Sequence, residues 1–390
     1  MTKDELLKEA RTAKGKSIDE IETPALVVDL DIMEANMDKM MAFLREGSGG
    51  IRPHAKSHKV PQVALMQIEK GALGICCAKV GEAEAMADGG VGDILITSQV
   101  TGAKRIRRAA KLAGKTDLKV AVDSAANVKD LSAAAVEAGN TIGIVIECEV
   151  GNDRCGVRRH SAAVEIAKLV TELPGLRFYG IMGYEGHCVF TADFEERRAA
   201  ANKAYDDLFG FRDVLAEAGY ECSIVSTGGT GTYRFGGRRE GITDIEAGSY
   251  IYMDTRYGGT SGIDFKQSMA VLSSIISHPT DDLWVSDAGL KSMTKEFGMV
   301  SILSGYGLKV LHMSEEHINL VPADEPEYLP GWMDMSDKYA HGPRPFDIGS
   351  KVLLVPSHCC TTSNLHDFIY AIRDGKVEDV WPITGRGRFD

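Results

Sequence analysis

Short apolar runs alternate with amphipathic segments along the first 250 residues of the chain. Between the apolar runs lie segments with a helical spacing of apolar residues, such as 102–114 and 195–219. Near-continuous apolar runs separated by helices are typical of parallel strands that are buried on both faces. The alternation therefore predicts an α/β fold with eight parallel strands. The eight runs are 51–56, 74–79, 93–98, 118–123, 141–150, 176–184, 222–227 and 242–250.

Eight strands match a closed, TIM-like (β/α)8 barrel, which takes about 250 residues. An open, doubly wound sheet is the competing arrangement. Beyond residue 254, strand-like runs are joined by turns rich in Gly, Pro and Asp, which predicts a second, mostly antiparallel β domain. We expect the barrel over 20–260, with the strand at 23–30 as a candidate member of the β domain, and the β domain over 261–390. The four-proline segment 326–350 is predicted to be a long ordered loop.

The composition excludes several classes of protein. Hydrophobic residues make up 44% and charged residues 26% of 390 positions, which excludes a disordered or fibrous chain. The formal net charge of −12, without a run of five basic residues, argues against nucleic-acid binding. No stretch of about 18 apolar residues exists to cross a membrane. The polar N-terminus lacks the apolar core of a signal peptide, so we expect a cytoplasmic protein.

Barrel enzymes carry their active sites at the carboxyl ends of the strands. Lys56 ends the first predicted strand, and a lysine in a barrel mouth loses hydration, which favours Schiff-base chemistry. Glycine-rich turns, STGGTGTY and EAGSY, follow strands seven and eight, where barrels bind phosphate through backbone N–H groups. A lysine with a phosphate cradle indicates pyridoxal 5′-phosphate (PLP), with Tyr184 and Arg154 as ring contacts. A solvated lysine and ordinary tight turns are the open alternatives.

His358 and Cys360 form a candidate metal motif. In an extended chain the spacing i, i+2 directs both side chains to one face, so that two ligands come from one strand. A buried cysteine beside a structural histidine is the competing interpretation from these residues alone.

Nine motifs, in chain order, resemble the D-threonine aldolase and D-serine dehydratase family. The resemblance extends from about residue 20 to 385 and implies the alanine racemase-like fold (fold-type III), a homodimer, PLP on Lys56 rather than Lys59, and a divalent metal on His358 and Cys360. The residues that it implies for cofactor binding are Tyr184, Thr227, Gly228, Gly229, Gly248, Ser249 and Tyr250. The motifs are TPALVVDLD, RPHAKSHK, GICCAKVGEAEAMADGG, GNDRCGV, STGGTGTY, EAGSYIYMD, DAGLK, EEH and VPSHCCTTSNLHD.

The implied activity is that of a PLP- and metal-dependent lyase acting on D-3-hydroxy amino acids. Two reactions compete: dehydration to a 2-oxo acid and ammonia, and retro-aldol cleavage to glycine and an aldehyde. An amino acid racemase and a non-catalytic PLP-binding protein are further alternatives.

The metal motif favours the dehydratase. Dehydratases of the family carry H-x-C, as at His358 and Cys360, whereas the aldolases carry H-x-D. A thiolate ligand favours zinc over manganese or magnesium. The aldolases also place a basic histidine six residues after the tyrosine that ends strand six, where this chain has Phe190, with His187 as a candidate replacement. The GGTG and NLHD segments, by contrast, resemble the aldolases, so an aldolase is the alternative.

Overall fold

The computed structural model describes residues 2–323, 334–339 and 346–390. The chain forms two compact units. The barrel unit consists of Met40–Lys56, Pro61–Gly248 and Gly387–Asp390. The β unit consists of Met1–Lys39, Ser57–Val60 and Ser249–Arg386. The predicted domain limits of 20–260 and 261–390 stay a prediction.

The barrel unit contains eight strands, each parallel to its neighbours. Strand one pairs with strand eight, and an isolated parallel bridge between His54 and Cys76 joins the end of strand one to strand two. This bridge closes the sheet, so the predicted barrel is confirmed and the open sheet is not formed. The strands are Gly50–Ile51, Ile75–Cys77, Asp93–Ile96, Asp117–Val122, Ile142–Glu147, Leu176–Met182, Ile224–Thr227 and Asp244–Ile245.

Alternation along the strands separates two layers of apolar side chains. Inward-facing residues, among them Leu95 and Val145, fill the barrel interior. Their neighbours, such as Ile94 and Ile144, face outward and pack under the helices. The helices after the strands are Pro61–Glu69, Val80–Asp88, Ala103–Leu112, Ala125–Ala138, His160–Glu172, Phe194–Glu217 and Tyr233–Gly236.

Helix Ala103–Leu112 shows why these segments form helices. Ile106, Ala109 and Ala110 are buried on one face, while basic residues occupy the exposed face. Helix Ala125–Ala138 begins after Ser124, whose hydroxyl accepts the Asn127 N–H, and ends at Gly139 in the left-handed conformation.

The β unit is built around a nine-stranded sheet. All pairings are antiparallel except one, since Ala25–Asp29 lies parallel to Phe368–Arg373 and antiparallel to Met269–Thr280. The other strands are Leu283–Ser286, Ser301–Ile302, Leu308–Met313, Ile318–Pro322, Lys351–Val355 and Lys376–Pro382. The helices of this unit are Lys3–Ala10, Thr255–Gly258, Asp334–Tyr339 and Cys359–Ser363, and helix Leu30–Leu44 begins in it.

The predicted loop at 326–350 lies partly outside the described residues, at 326–333 and 340–345. Within it, Asp334–Tyr339 forms a helix rather than a loop. Among the described residues, no helix combines the length and the apolar character needed to cross a bilayer.

The interior layer generates a stability prediction. Leu95 is fully buried, so Leu95→Ala leaves a cavity and lowers the free energy of unfolding by about 2–5 kcal/mol. Leu73, which is 51% exposed, provides the matched control, because Leu73→Ala changes that free energy by about 0.5 kcal/mol or less. Urea unfolding of both variants measures the difference, and equal losses would contradict this account of the interior.

Candidate active site

Lys56 lies in a short 3₁₀ turn, Ala55–Ser57, that follows the first barrel strand. His54 holds this turn, because its Nδ1 accepts the Lys56 N–H at 3.3 Å and its Nε2 lies 3.1 Å from the Thr97 hydroxyl. The Lys56 amine has no hydrogen-bond partner among the described residues, and its side chain is exposed. The expected loss of hydration is therefore not observed, because the side chain stands on the exposed side of the turn.

Arg154 and Lys56 approach the same aromatic ring. The Lys56 Nζ lies 5.8 Å from the centre of the Tyr184 ring, and the Arg154 guanidinium carbon lies 5.4 Å from it. Glu147 accepts a hydrogen bond from Arg154 Nη2 at 3.1 Å. Partial burial opposes the charge on Arg154, but Glu147 outweighs this effect and raises its pKa. The structure thus brings together three residues that sequence analysis predicted.

The loop that carries Arg154 is fixed by Glu149. Its carboxylate accepts the backbone N–H groups of Gly151, Asp153 and Arg154 at 2.6, 2.9 and 3.1 Å. Although desolvation opposes ionisation, these donors and the nearby Arg158 lower the pKa of Glu149. The loop is therefore held by an ionised group.

Glu185, which sequence analysis did not identify, organises the glycine-rich turn after strand seven. This fully buried carboxylate accepts hydrogen bonds from the Thr227 hydroxyl at 3.0 Å and the Gly228 N–H at 3.1 Å. It also accepts from the hydroxyls of Thr232 and Tyr205, at 2.5 and 2.9 Å. Gly228 has a φ of +84°, a conformation that favours glycine.

The same turn leaves donors available for an anion. The Gly228 and Gly229 N–H groups already bind Glu185 and the Thr232 hydroxyl. The N–H groups of Thr230 and Gly231 have no partner among the described residues, and the Thr230 hydroxyl is buried without one. These unpartnered donors fit a phosphate group and belong to the Gly228–Gly231 turn that was predicted to bind it, whereas the first two N–H groups of that turn are engaged within the protein.

Close packing explains the glycines themselves. A Cβ on Gly231 would lie 2.1 Å from the Val189 carbonyl oxygen, so no side chain fits there. A Cβ on Gly229 would lie 3.3 Å from the Tyr184 ring, which places the turn against that tyrosine.

His187 lies beside the Arg154 loop. A Cβ atom added to Gly151 would lie 3.0 Å from the His187 ring. The His187 side chain is exposed and makes no hydrogen bond to a described residue. No hydrogen bond to a described residue therefore occupies its ring nitrogens, whereas Phe190, which is half-buried, has no basic group.

A second unpredicted acid, Glu246, directly follows strand eight. Burial, together with the neighbouring Asp244, raises its pKa to about 8, and the Ser226 hydroxyl donates to it at 3.0 Å. Acidic residues at the ends of apolar runs, as in IVIECEV and ITDIEAG, are the sequence signal for Glu147 and Glu246. No comparable signal marks Glu185.

The chain after strand eight is buried at the three residues predicted for the cofactor, Gly248, Ser249 and Tyr250. Within the β unit, the Ser249 hydroxyl lies 3.5 Å from Cys360 Sγ, and the Tyr250 ring packs against Phe265 with 5.4 Å between ring centres. The contacts of Ser249 thus bring it to the metal motif.

The metal motif forms a compact cluster of donor atoms. One donor atom each of His358, Cys359 and Cys360 lies within 4.8 Å of the others. The extended-strand explanation of this spacing is wrong, because only His358 is extended and Cys360 lies in the first turn of helix Cys359–Ser363. Asp254 supports the cluster, since its Oδ2 lies 2.9 Å from His358 Nδ1 and accepts the Cys359 N–H at 2.9 Å.

This arrangement fits a metal ion. The contact with Asp254 engages Nδ1 of His358, so Nε2 is the nitrogen that would bind a metal ion. A carboxylate behind a ligating histidine is typical of zinc sites. Burial opposes the charge on His358, but Cys360 and Asp254 raise its pKa to about 11. The same negative charge favours a bound cation.

Two known family profiles match consecutive parts of the chain. The profile "Alanine racemase, N-terminal domain" matches residues 28–256, and the profile "Putative serine dehydratase domain" matches residues 268–372. A D-threonine aldolase from an Arthrobacter species is 36% identical over 376 residues, which cover 96% of this chain and 95% of that protein. A D-threo-3-hydroxyaspartate dehydratase from a Delftia species is 28% identical over 379 residues, 92% of this chain and 96% of that protein.

The fold agrees with solved structures. The D-threonine aldolase from Filomicrobium marinum superimposes with a TM-score of 0.88 at 35% identity, covering 97% of this chain and 99% of the other. Alanine racemases at 14–17% identity share the fold alone. The chain therefore belongs to the family of alanine racemase-like, PLP-dependent lyases that contains the D-threonine aldolases and the D-threo-3-hydroxyaspartate dehydratases.

Proposed function

We propose that this chain is a PLP- and divalent-metal-dependent lyase that dehydrates D-3-hydroxy amino acids to a 2-oxo acid and ammonia. The main support is the cluster of His358 and Cys360 with Asp254 behind the histidine. Solved structures of D-threo-3-hydroxyaspartate dehydratase include variants of a histidine and of a cysteine two positions later, the latter in a metal-free form. His358 and Cys360 have the same spacing.

Residues of the barrel unit would hold the cofactor. Lys56, whose amine has no competing partner among the described residues, would bind PLP covalently through Nζ and later accept and return a proton there. Arg154 and Tyr184 would contact the pyridine ring of PLP. When bound, PLP supplies an electron sink for the substrate Cα. The barrel-unit residues proposed around the phosphate are Thr227, Gly228, Gly229, Thr230, Gly231 and Gly248. Ser249 and Tyr250, which belong to the β unit, stay predicted cofactor-binding residues.

The metal would be bound by His358 and Cys360, with Asp254 holding the histidine in orientation. When bound, the ion supplies a Lewis acid for a departing hydroxyl group. The thiolate donor favours zinc, and manganese or magnesium is the less favoured alternative. Residence in the cytoplasm and a homodimer stay predictions.

An aldolase is the second candidate. The D-threonine aldolase of Arthrobacter is 36% identical to this chain, against 28% for the dehydratase of Delftia. His187, exposed and without a hydrogen-bond partner among the described residues, is able to take the proton of a β-hydroxyl in retro-aldol cleavage.

Product stoichiometry separates the two reactions. With D-threonine or D-3-hydroxyaspartate we expect ammonia and a 2-oxo acid in equal amounts, without glycine, because zinc would favour loss of the hydroxyl group. His187→Ala should leave this rate within about twofold, whereas loss of a catalytic base costs about 10²–10⁴-fold. Glycine with an equal amount of aldehyde, abolished in His187→Ala, would establish the aldolase instead.

Borohydride reduction tests the attachment of the cofactor. We expect one reducible PLP adduct per chain in the wild type and none in Lys56→Ala, because Nζ is the bonding atom. Lys59→Ala is the matched control and should keep the adduct. The reverse pattern, measured by mass spectrometry of the labelled peptide, would transfer the role to Lys59.

Metal analysis tests the cluster. We expect one zinc ion per chain in the wild type and its loss in Cys360→Ala, with Cys155→Ser as the exposed control that keeps zinc. Asp254→Asn should weaken zinc binding about 10–100-fold, because the support behind His358 is lost. Full zinc content in Cys360→Ala would exclude this cysteine as a ligand.

A further inference from the structure

We infer that Glu147 is a positioning residue for Arg154, fixing the guanidinium against the Tyr184 ring and thereby setting the orientation and retention of the cofactor. This inference rests on the proposed function, since it assumes that PLP binds at the barrel. Glu147 acts through Arg154.

Glu147 reaches Arg154 because of strand alternation. It is the last residue of strand Ile142–Glu147. Val145, two positions earlier, faces the barrel interior, whereas Ile144 and Ile146 pack outward under the helices. Glu147 therefore faces inward, at the carboxyl end of the barrel.

The carboxylate of Glu147 is buried and fully engaged. Its side chain is only 4% exposed, and a buried charge is costly unless it is paired and hydrogen-bonded. Oε1 accepts from Arg154 Nη2 at 3.1 Å, and Oε2 accepts from Gln99 Nε2 at 2.5 Å. These two contacts hold the carboxylate in one orientation.

Arg154 depends on this contact. Its side chain is 48% exposed, and Glu147 is the residue that binds its guanidinium by hydrogen bonds within the described part of the chain. The backbone of the loop is fixed without the Glu147 side chain. The Glu149 carboxylate binds the Arg154 N–H, the Val157 N–H donates to the Glu147 carbonyl oxygen at 2.9 Å, and the Glu149 N–H donates to the Val157 carbonyl oxygen at 3.0 Å. Loss of the Glu147 charge would thus free the guanidinium without releasing the loop.

The position of the Arg154 guanidinium matters because Lys56 lies near the same ring, that of Tyr184. Lys56 Nζ and the Arg154 guanidinium carbon both lie within 6 Å of the centre of this ring, so a displaced Arg154 would change the surroundings of the atom proposed to bind PLP. Glu147 holds the Arg154 guanidinium in place beside the Tyr184 ring and offsets the positive charge of Arg154. A purely structural Glu147 would instead stabilise the barrel without affecting the cofactor.

Glu147→Gln tests the inference in the PLP-loaded enzyme. The amide keeps the size of the side chain, and Gln99 can rotate its own amide to remain paired. We expect PLP release to become at least about tenfold faster, because a hydrogen bond between two charged groups is replaced by a weaker one. The visible circular dichroism of the bound cofactor should change, while the borohydride-fixable amount at saturating PLP stays the same.

Asp153→Asn is the matched control. It removes one negative charge from the same loop, but its side chain is 84% exposed, and asparagine tolerates the φ of +50° at this position. PLP release and circular dichroism should match the wild type. If Glu147→Gln does not fold, as judged by thermal melting, Glu147→Asp replaces it, because the shorter carboxylate cannot reach both partners.

A double-mutant cycle with Arg154→Met, which removes both the charge and the hydrogen-bond donors, separates positioning from structure. If Glu147 acts through Arg154, then Glu147→Gln changes PLP release by less than about twofold in the Arg154→Met background. Equal effects in both backgrounds, or unchanged release and circular dichroism in Glu147→Gln, would overturn the inference alone. A wild type without a fixable PLP adduct would overturn the proposed function together with it.

Discussion

The need of a buried carboxylate for hydrogen-bond donors shapes both the glycine-rich turn and the metal motif of the candidate site. Glu185 draws Thr227, Gly228 and Thr232 onto its two oxygens, and so gives the glycine-rich turn its shape. Asp254 contacts His358, which precedes helix Cys359–Ser363, and accepts the N–H of the first helical residue, Cys359. An unpaired charge in such positions would cost several kcal/mol, so each segment has one favourable arrangement.

This principle explains what the sequence can and cannot predict. The eight barrel strands are recognisable because strand and helix periodicities are local, and Lys56 follows from its place at a strand end. Glu185 and Asp254 are not recognisable in this way. Thr232 is 47 residues from Glu185, and His358 is 104 residues from Asp254. Only the closed fold brings these partners together.

Two expectations about side chains failed for local reasons. The exposure of Lys56 depends on a 3₁₀ turn that the motif does not reveal. The proximity of His358 and Cys360 arises from a change of backbone conformation between them, from extended to helical. In both cases the residue types were informative, whereas the backbone path was not. The family resemblance, which depends on residue types in order, was confirmed.

The strand Ala25–Asp29 determines when the β sheet can form. Its neighbours are residues 269–272 on one side and 370–372 on the other, so its pairings join positions more than 240 residues apart. Contacts of such long range form late, because closing the intervening chain costs entropy before any pairing repays it. During synthesis the ribosome must release the chain beyond residue 372 before this strand finds both partners. Until then, its buried residues Leu26, Val27 and Val28 lack at least one partner strand, and the nascent chain presents an apolar edge open to aggregation.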